Sequence, residues 1–294
     1  MREDHEDWLS NARDGMSRRQ FLAAASATGA TLAGFAIASN PVAGEVITTP
    51  TIGLTVADGT VTVAGFAVPT YTARPAADGR YPIVLVIPEV WGMHEHIKDI
   101  ARRFAHAGYL AATFEPYARE GGTKQLPEQA QVMKVANSVS DAQVMTDLDA
   151  VLAATKQAPT ARPDRVGVTG FCRGGMYTLL YAAQNPEVKA AVPWYGPIKP
   201  QITPGIRTQG PLDLAGKINA AVLGLYGGAD QGIPAADVKE MESALQKAGK
   251  TAEFVIYPDA PHAFNADYRT SYRPEAAKDG WTRCVAWFDK YVKG

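Results

Sequence analysis

Residues 166–175 read Val166-Gly167-Val168-Thr169-Gly170-Phe171-Cys172-Arg173-Gly174-Gly175, and the chain continues Met176-Tyr177-Thr178-Leu179-Leu180-Tyr181-Ala182-Ala183. An apolar run of strand character passes through a glycine-flanked cysteine into a helical pattern. This is the strand–turn–helix context of a nucleophile elbow, with cysteine where serine is more usual. A nucleophile on so tight a turn needs small neighbours two residues away, and Gly170 and Gly174 meet that demand. A helix beginning near Gly174 aims its positive end at Cys172, which favours a thiolate and any developing oxyanion. The competing reading of Cys172 is a buried small residue at a strand end. The flanking glycines and the strand–helix switch favour the nucleophile.

Outward from the elbow, continuous apolar runs recur at 81–88, 109–114, 165–170, 190–194, 221–226 and 252–257. Helical patterns at 96–107, 141–156, 174–184, 235–248 and 274–292 separate many of them. Alternating β and α units predict an α/β fold with a mostly parallel central sheet and helices on both faces. Residues 52–72 partly alternate, with Asp58-Gly59 as a turn signal, and read as two or three antiparallel strands at a sheet edge. The Pro- and Gly-rich stretch 197–216 reads as a loop over one edge, long enough to border a pocket. The remaining length does not accommodate a large lid domain.

A nucleophile needs a base, and the base an orienting group. Of five histidines, His262 alone sits just beyond a late strand, in Tyr257-Pro258-Asp259-Ala260-Pro261-His262. Asp230 follows Leu225-Tyr226-Gly227-Gly228-Ala229, again at a strand end. Strand ends of this kind face the site of a parallel sheet. The order Cys172, Asp230, His262 is that of nucleophile, acid and base in an α/β-hydrolase arrangement. Taken singly, Asp230 also reads as a turn residue beside Gly232, and His262 as a loop histidine. Glu89 opens the loop after the 81–88 run. That loop should supply one oxyanion donor, the Val90 N–H, and the residue after the nucleophile the other, the Arg173 N–H. A carboxylate beside an oxyanion is unexpected, and Glu89 reads as a group that interacts with the thiol.

The net charge is −1 with both signs mixed along 294 residues, against the strong basic balance of a nucleic-acid binder. No clustered His/Cys/Asp spacing suggests a metal site, and no cofactor is implied. Residues 1–38 are of another kind. Ser17-Arg18-Arg19-Gln20-Phe21-Leu22 precedes an Ala/Gly/Thr-rich run, and Ala36-Ile37-Ala38 offers a small-x-small cleavage site. This is the pattern of a Tat export signal, too weakly apolar for a stable membrane anchor. It predicts recognition by the Tat machinery and a periplasmic or extracellular mature protein, with residues 39–294 as one α/β domain. A disulfide between Cys172 and Cys284 is possible on count alone. Cys284, in a helical pattern with Trp281, Val285 and Phe288, reads instead as a small core residue.

With these residues in place, the chain resembles the dienelactone hydrolase (carboxymethylenebutenolidase) family of the α/β-hydrolase superfamily. The likeness runs from about Tyr71 to Tyr291. It rests on Pro88-Glu89-Val90-Trp91-Gly92, Pro116-Tyr117-Ala118-Arg119, Gly170-Phe171-Cys172-Arg173-Gly174-Gly175, Gly227-Gly228-Ala229-Asp230 with Pro234, and His262-Ala263-Phe264. The resemblance implies hydrolysis of an enol lactone by a Cys172–His262–Asp230 triad, with Glu89 taking the thiol proton when substrate binds. It also implies Arg119 as the grip on a substrate carboxylate, with Tyr117 beside it in the substrate site. The family's second carboxylate-binding arginine falls at Ala266 here, and Arg269 is the nearby substitute. The competing reading of Arg119 is a surface ion pair, and of Arg269 a solvated loop residue. The expected ligand is a small lactone or ester, carboxylate-bearing if the arginines serve as implied. Rival readings are a broad carboxylesterase, a hydrolase of another lactone, and a non-catalytic binding protein on a hydrolase scaffold.

Overall fold

The computed structural model describes residues 46–294. The export signal read at residues 1–38 lies outside the described residues.

Eight strands form one sheet in the order β1-β2-β4-β3-β5-β6-β7-β8. β1 (Leu54–Val63) and β2 (Phe66–Pro75) form an antiparallel hairpin, and β2 runs antiparallel to β4 (Leu110–Phe114). The remaining neighbours, including β3 (Tyr81–Ile87), β5 (Ala161–Phe171), β6 (Val188–Trp194), β7 (Ala221–Gly227) and β8 (Ala252–Tyr257), are parallel. All of β4 and β7, and β3 beyond Tyr81, are buried, because helices cover both faces.

The helices are α1 (Glu95–His106), α2 (Gln129–Ser138), α3 (Asp141–Lys156), α4 (Arg173–Gln184), α5 (Ala235–Lys247) and α6 (Pro274–Phe288). In α1, Ile97, Ile100, Ala101, Phe104 and Ala105 form one buried stripe at helical spacing. Ser140 caps α3, its side chain accepting the Gln143 N–H at 3.1 Å. α4 is buried from Arg173 to Ala182, which makes the elbow helix the most enclosed of the six.

Two sequence expectations are corrected, and one helix is added. Asp58-Gly59 is not a turn but lies inside β1, paired with Tyr71 and Thr70. The turn is Ala64-Gly65, both with positive φ (49° and 81°), the two-residue geometry that suits the twist of a hairpin. α2 was not anticipated, because only Val132 and Ala136 of its ten residues are buried and its apolar stripe is correspondingly faint. The last helix leaves α-geometry at Phe288 and closes in a π-turn over Asp289–Lys293.

Candidate active site

Cys172 joins β5 to α4 with φ 54° and ψ −119°, a conformation L-residues rarely adopt. Such a residue costs on the order of 1–3 kcal/mol and persists only where its surroundings hold it. Here the Cys172 N–H donates to Trp194 O at 3.0 Å, and Cys172 O accepts from Gly175 N at 2.9 Å. The two glycines read from the sequence are demanded by backbone approach. A Cβ on Gly170 would lie 2.3 Å from Gly174 O, and one on Gly174 would lie 2.2 Å from Ile87 O.

Asp230 and His262 follow β7 and β8, and hydrogen bonds tie their loops together: Ala229 N to Ala260 O at 3.0 Å and Gly228 N to Tyr257 O at 2.7 Å. His262 Nδ1 stands 2.6 Å from Asp230 Oδ2, and Asp230 Oδ1 accepts the Gly232 N–H at 2.8 Å. With Nδ1 committed to Asp230, Nε2 is left for the thiol. Burial alone would push the Cys172 thiol up, but the hydrogen-bonded His262 outweighs it and holds the thiol below its ordinary value. Burial likewise opposes charge on His262, yet Cys172 and Asp230 together raise it to about 10. Both shifts run in the direction that favours a thiolate–imidazolium pair. Both cysteines are free thiols, and Cys284 is a core residue pushed up by burial.

Val90 is buried in the loop after β3, and among the described residues no backbone carbonyl takes the N–H of Val90 or Arg173. The Arg173 N–H leans toward the Cys172 sulfur and helps lower its pKa. The Arg173 side chain turns away to α2, donating to Asn137 Oδ1 at 2.6 Å and Ala136 O at 3.3 Å. The β3 loop is stitched to the β4 loop by buried Glu115. Its carboxylate accepts the Met93 N–H at 2.8 Å and the Tyr117 N–H at 3.3 Å. It also lies where a Cβ on Gly92 would be, 2.4 Å from either oxygen.

Glu89 is buried, and one of its oxygens, Oε1, gathers three groups: the Tyr268 hydroxyl, His94 Nε2 at 2.9 Å and Arg269 Nη2 at 3.9 Å. Burial opposes its charge, but Arg269, His94 and Tyr268 prevail and hold the carboxyl well below the usual range. Glu89 acts on Cys172 through space, its charge pushing the thiol up.

The remaining residues separate. Arg119 makes a bidentate pair with fully buried Asp147, at 2.6 Å and 2.8 Å, and lies over the Phe66 ring. The two nitrogens that would fork a substrate carboxylate are therefore occupied. The structure shows Arg119 in an ion pair, its competing reading, because a buried aspartate needs its cation. Tyr117 is fully buried beside Tyr177, its hydroxyl without a hydrogen-bond partner among the described residues. Arg269 instead reaches the site. Its guanidinium lies 5.3 Å from both the Trp91 and Tyr268 rings, and its side chain is 24% exposed. Its Nε and Nη2 have no hydrogen-bond partner of normal geometry among the described residues.

Sequence reasoning missed Tyr268, His94 and Tyr195. Tyr195, with φ 37°, sets its ring edge-on to His262 at 5.2 Å. Its position one residue beyond the 190–194 strand run was the available signal.

Residues 68–292 match the model of the dienelactone hydrolase family. A protein of Methylorubrum extorquens described as "Putative carboxymethylenebutenolidase" is 47% identical over 282 residues, 95% of each chain. One of the same description from Escherichia coli K12 is 44% identical across 88% of this chain and 95% of its own. The crystal structure of a "Putative Dienelactone Hydrolase" from Klebsiella pneumoniae superposes with a TM-score of 0.78 at 45% identity, covering 81% of this chain and 99% of that one.

Proposed function

This chain belongs to the dienelactone hydrolase family and is a hydrolase of that type; from that premise we propose that it opens a lactone or ester through a thioester on Cys172. The observation that carries this is the strained Cys172, hydrogen-bonded to a histidine that is itself held by Asp230 at 2.6 Å. The Cys172 sulfur attacks the carbonyl carbon, and the oxyanion is received by the N–H groups of Val90 and Arg173. Collapse breaks the acyl C–O bond, and the imidazolium of His262 protonates the departing oxygen. In a lactone that oxygen stays tethered to the acyl group, so the thioester carries the whole substrate. Neutral His262 then takes a proton from water, hydroxide adds to the thioester carbon, and the thiolate leaves.

Arg269 is the proposed grip for a carboxylate on the substrate. It is charged, partly open to solvent and braced between two aromatic rings. A second reading, hydrolysis of uncharged esters, is favoured by two observations: Arg119 is paired with Asp147, and Ala266 stands at the family's other arginine position. We also propose Tat export, on the twin arginine Arg18-Arg19; paired lysine substitutions should retain the precursor inside the cell.

The deciding experiment is acid-quench mass spectrometry with a carboxylate-bearing enol lactone. A Cys172 adduct of the full substrate mass should appear and decay as product forms. Undiminished turnover by Cys172→Ala would sink the mechanism.

A further inference from the structure

Residues 46–50 cross the outer face of α1 without regular secondary structure. The Ile47 N–H donates to Asp267 Oδ2 at 2.7 Å, and the Thr49 N–H donates to Asp99 Oδ1. Two N–H groups of the segment, two residues apart, are thus both directed at carboxylates beneath it. Arg102 Nε returns a bond to Thr49 O at 3.0 Å, and His106 Nε2 meets Pro50 O at 2.9 Å. Arg103 lies between the two carboxylates, with Nε 2.6 Å from Asp99 Oδ2 and Nη2 3.5 Å from Asp267 Oδ2.

Asp267 is 1% exposed and needs every one of these partners. Its other oxygen faces His96 Nδ1 at 3.1 Å. The next two residues in the chain are Tyr268 and Arg269, the pair that meets Glu89. A short turn carries all three, with Arg269 N donating to Ala266 O at 2.9 Å. Asp267 therefore anchors one side of the turn while Tyr268 and Arg269 project from it into the site.

We propose that residues 46–50 are a strap that positions Tyr268 and Arg269 against Glu89, acting through Asp267. The inference rests on Arg269 being the anion grip argued above. Asp267 is a positioning residue, and the strap's N–H groups, rather than its side chains, do the work. Ile47 is exposed and its side chain is dispensable on this account.

The test compares three proline variants in the full chain, because proline deletes one backbone N–H. Ile47→Pro and Thr49→Pro each remove a strap donor; Thr48→Pro, at an exposed residue between them, removes none of the bonds described. Ile47→Ala keeps the N–H. Substrates are a carboxylate-bearing enol lactone and an uncharged aryl ester, and the alkylation of Cys172 by iodoacetamide is followed against pH. Ile47→Pro should raise KM for the anionic lactone about tenfold with kcat on the uncharged ester within about twofold, a split that general destabilisation does not produce. It should also move the alkylation midpoint upward, since a displaced Arg269 leaves the Glu89 charge less compensated beside the sulfur. Ile47→Ala and Thr48→Pro should match the parent. Equal losses on both substrates with an unmoved midpoint, or no effect of Ile47→Pro at all, would overturn the strap. Arg269→Gln is run in parallel: if it fails to discriminate the two substrates, the anion grip falls and the alkylation midpoint alone decides the strap.

Discussion

The Tyr268 hydroxyl donates to Oε1 of Glu89, the same oxygen that faces His94 and Arg269. The carboxylate is thereby held ionised, and its charge pushes the Cys172 thiol up in the substrate-free site. Glu89→Gln should therefore lower the Cys172 pKa and speed alkylation at acidic pH, read by iodoacetamide kinetics against pH. It should also cost on the order of 2 kcal/mol in chemical denaturation, because Arg269 and His94 lose a charged acceptor. Slower acidic alkylation in this variant would show that Glu89 does accept the thiol proton.

The pH profile follows from the two displaced groups of the pair. Cys172 lies below its ordinary value, so the acidic limb of kcat/KM should fall below about pH 8.5, the usual thiol value. His262 lies above its own, so activity should persist until the imidazolium loses its proton near pH 10. Asp230→Asn withdraws one cause of that elevation. Its basic limb should move down, and its rate should drop by on the order of 10³–10⁴ as the imidazole loses its fixed tautomer.

Strain at position 172 separates two inactive variants. Cys172→Ala keeps a Cβ at φ 54°, whereas Cys172→Gly does not. Despite glycine's greater unfolded freedom, Cys172→Gly should be the more stable by about 1 kcal/mol. In a chain of this size that is a melting temperature higher by roughly 2–4 °C in calorimetry. The reverse order would mean that the elbow is relaxed.

Arg119→Ala distinguishes an ion pair from a substrate contact. Removing the guanidinium leaves Asp147 buried without its cation, which should destabilise the fold by about 3 kcal/mol. KM for an anionic lactone should stay within about twofold of the parent. A large rise in KM at unchanged stability would restore Arg119 to the substrate site.

The comparison between sequence and structure divides along physical lines. The elbow was legible because Gly170 and Gly174 are required by local backbone approach, and local requirements leave local signatures. The convergence of Asp230 and His262 was legible from strand order, since parallel strands end on one side. The partner of Arg119 was not legible, because Asp147 lies 28 residues away on α3. The Glu89 cluster was equally hidden, joining residues separated by 179 positions through a turn that carries no sequence pattern. The hairpin turn was misplaced for the opposite reason. Asp58-Gly59 is a strong local signal, and the register of β1 on β2 overrode it.

The absent side chain of Gly92 and the buried carboxylate of Glu115 occupy one volume between them. The loops they belong to are therefore a single exchangeable part. A designer who grafts the segment after β4 from a relative must carry Glu115 with it, and one who replaces the segment after β3 must keep a residue without a Cβ at position 92. Recombination breakpoints between 92 and 115 will separate the two halves of that part. A chimera cut there that sets a side chain at 92 against Glu115 should fail even when each loop works in its own parent.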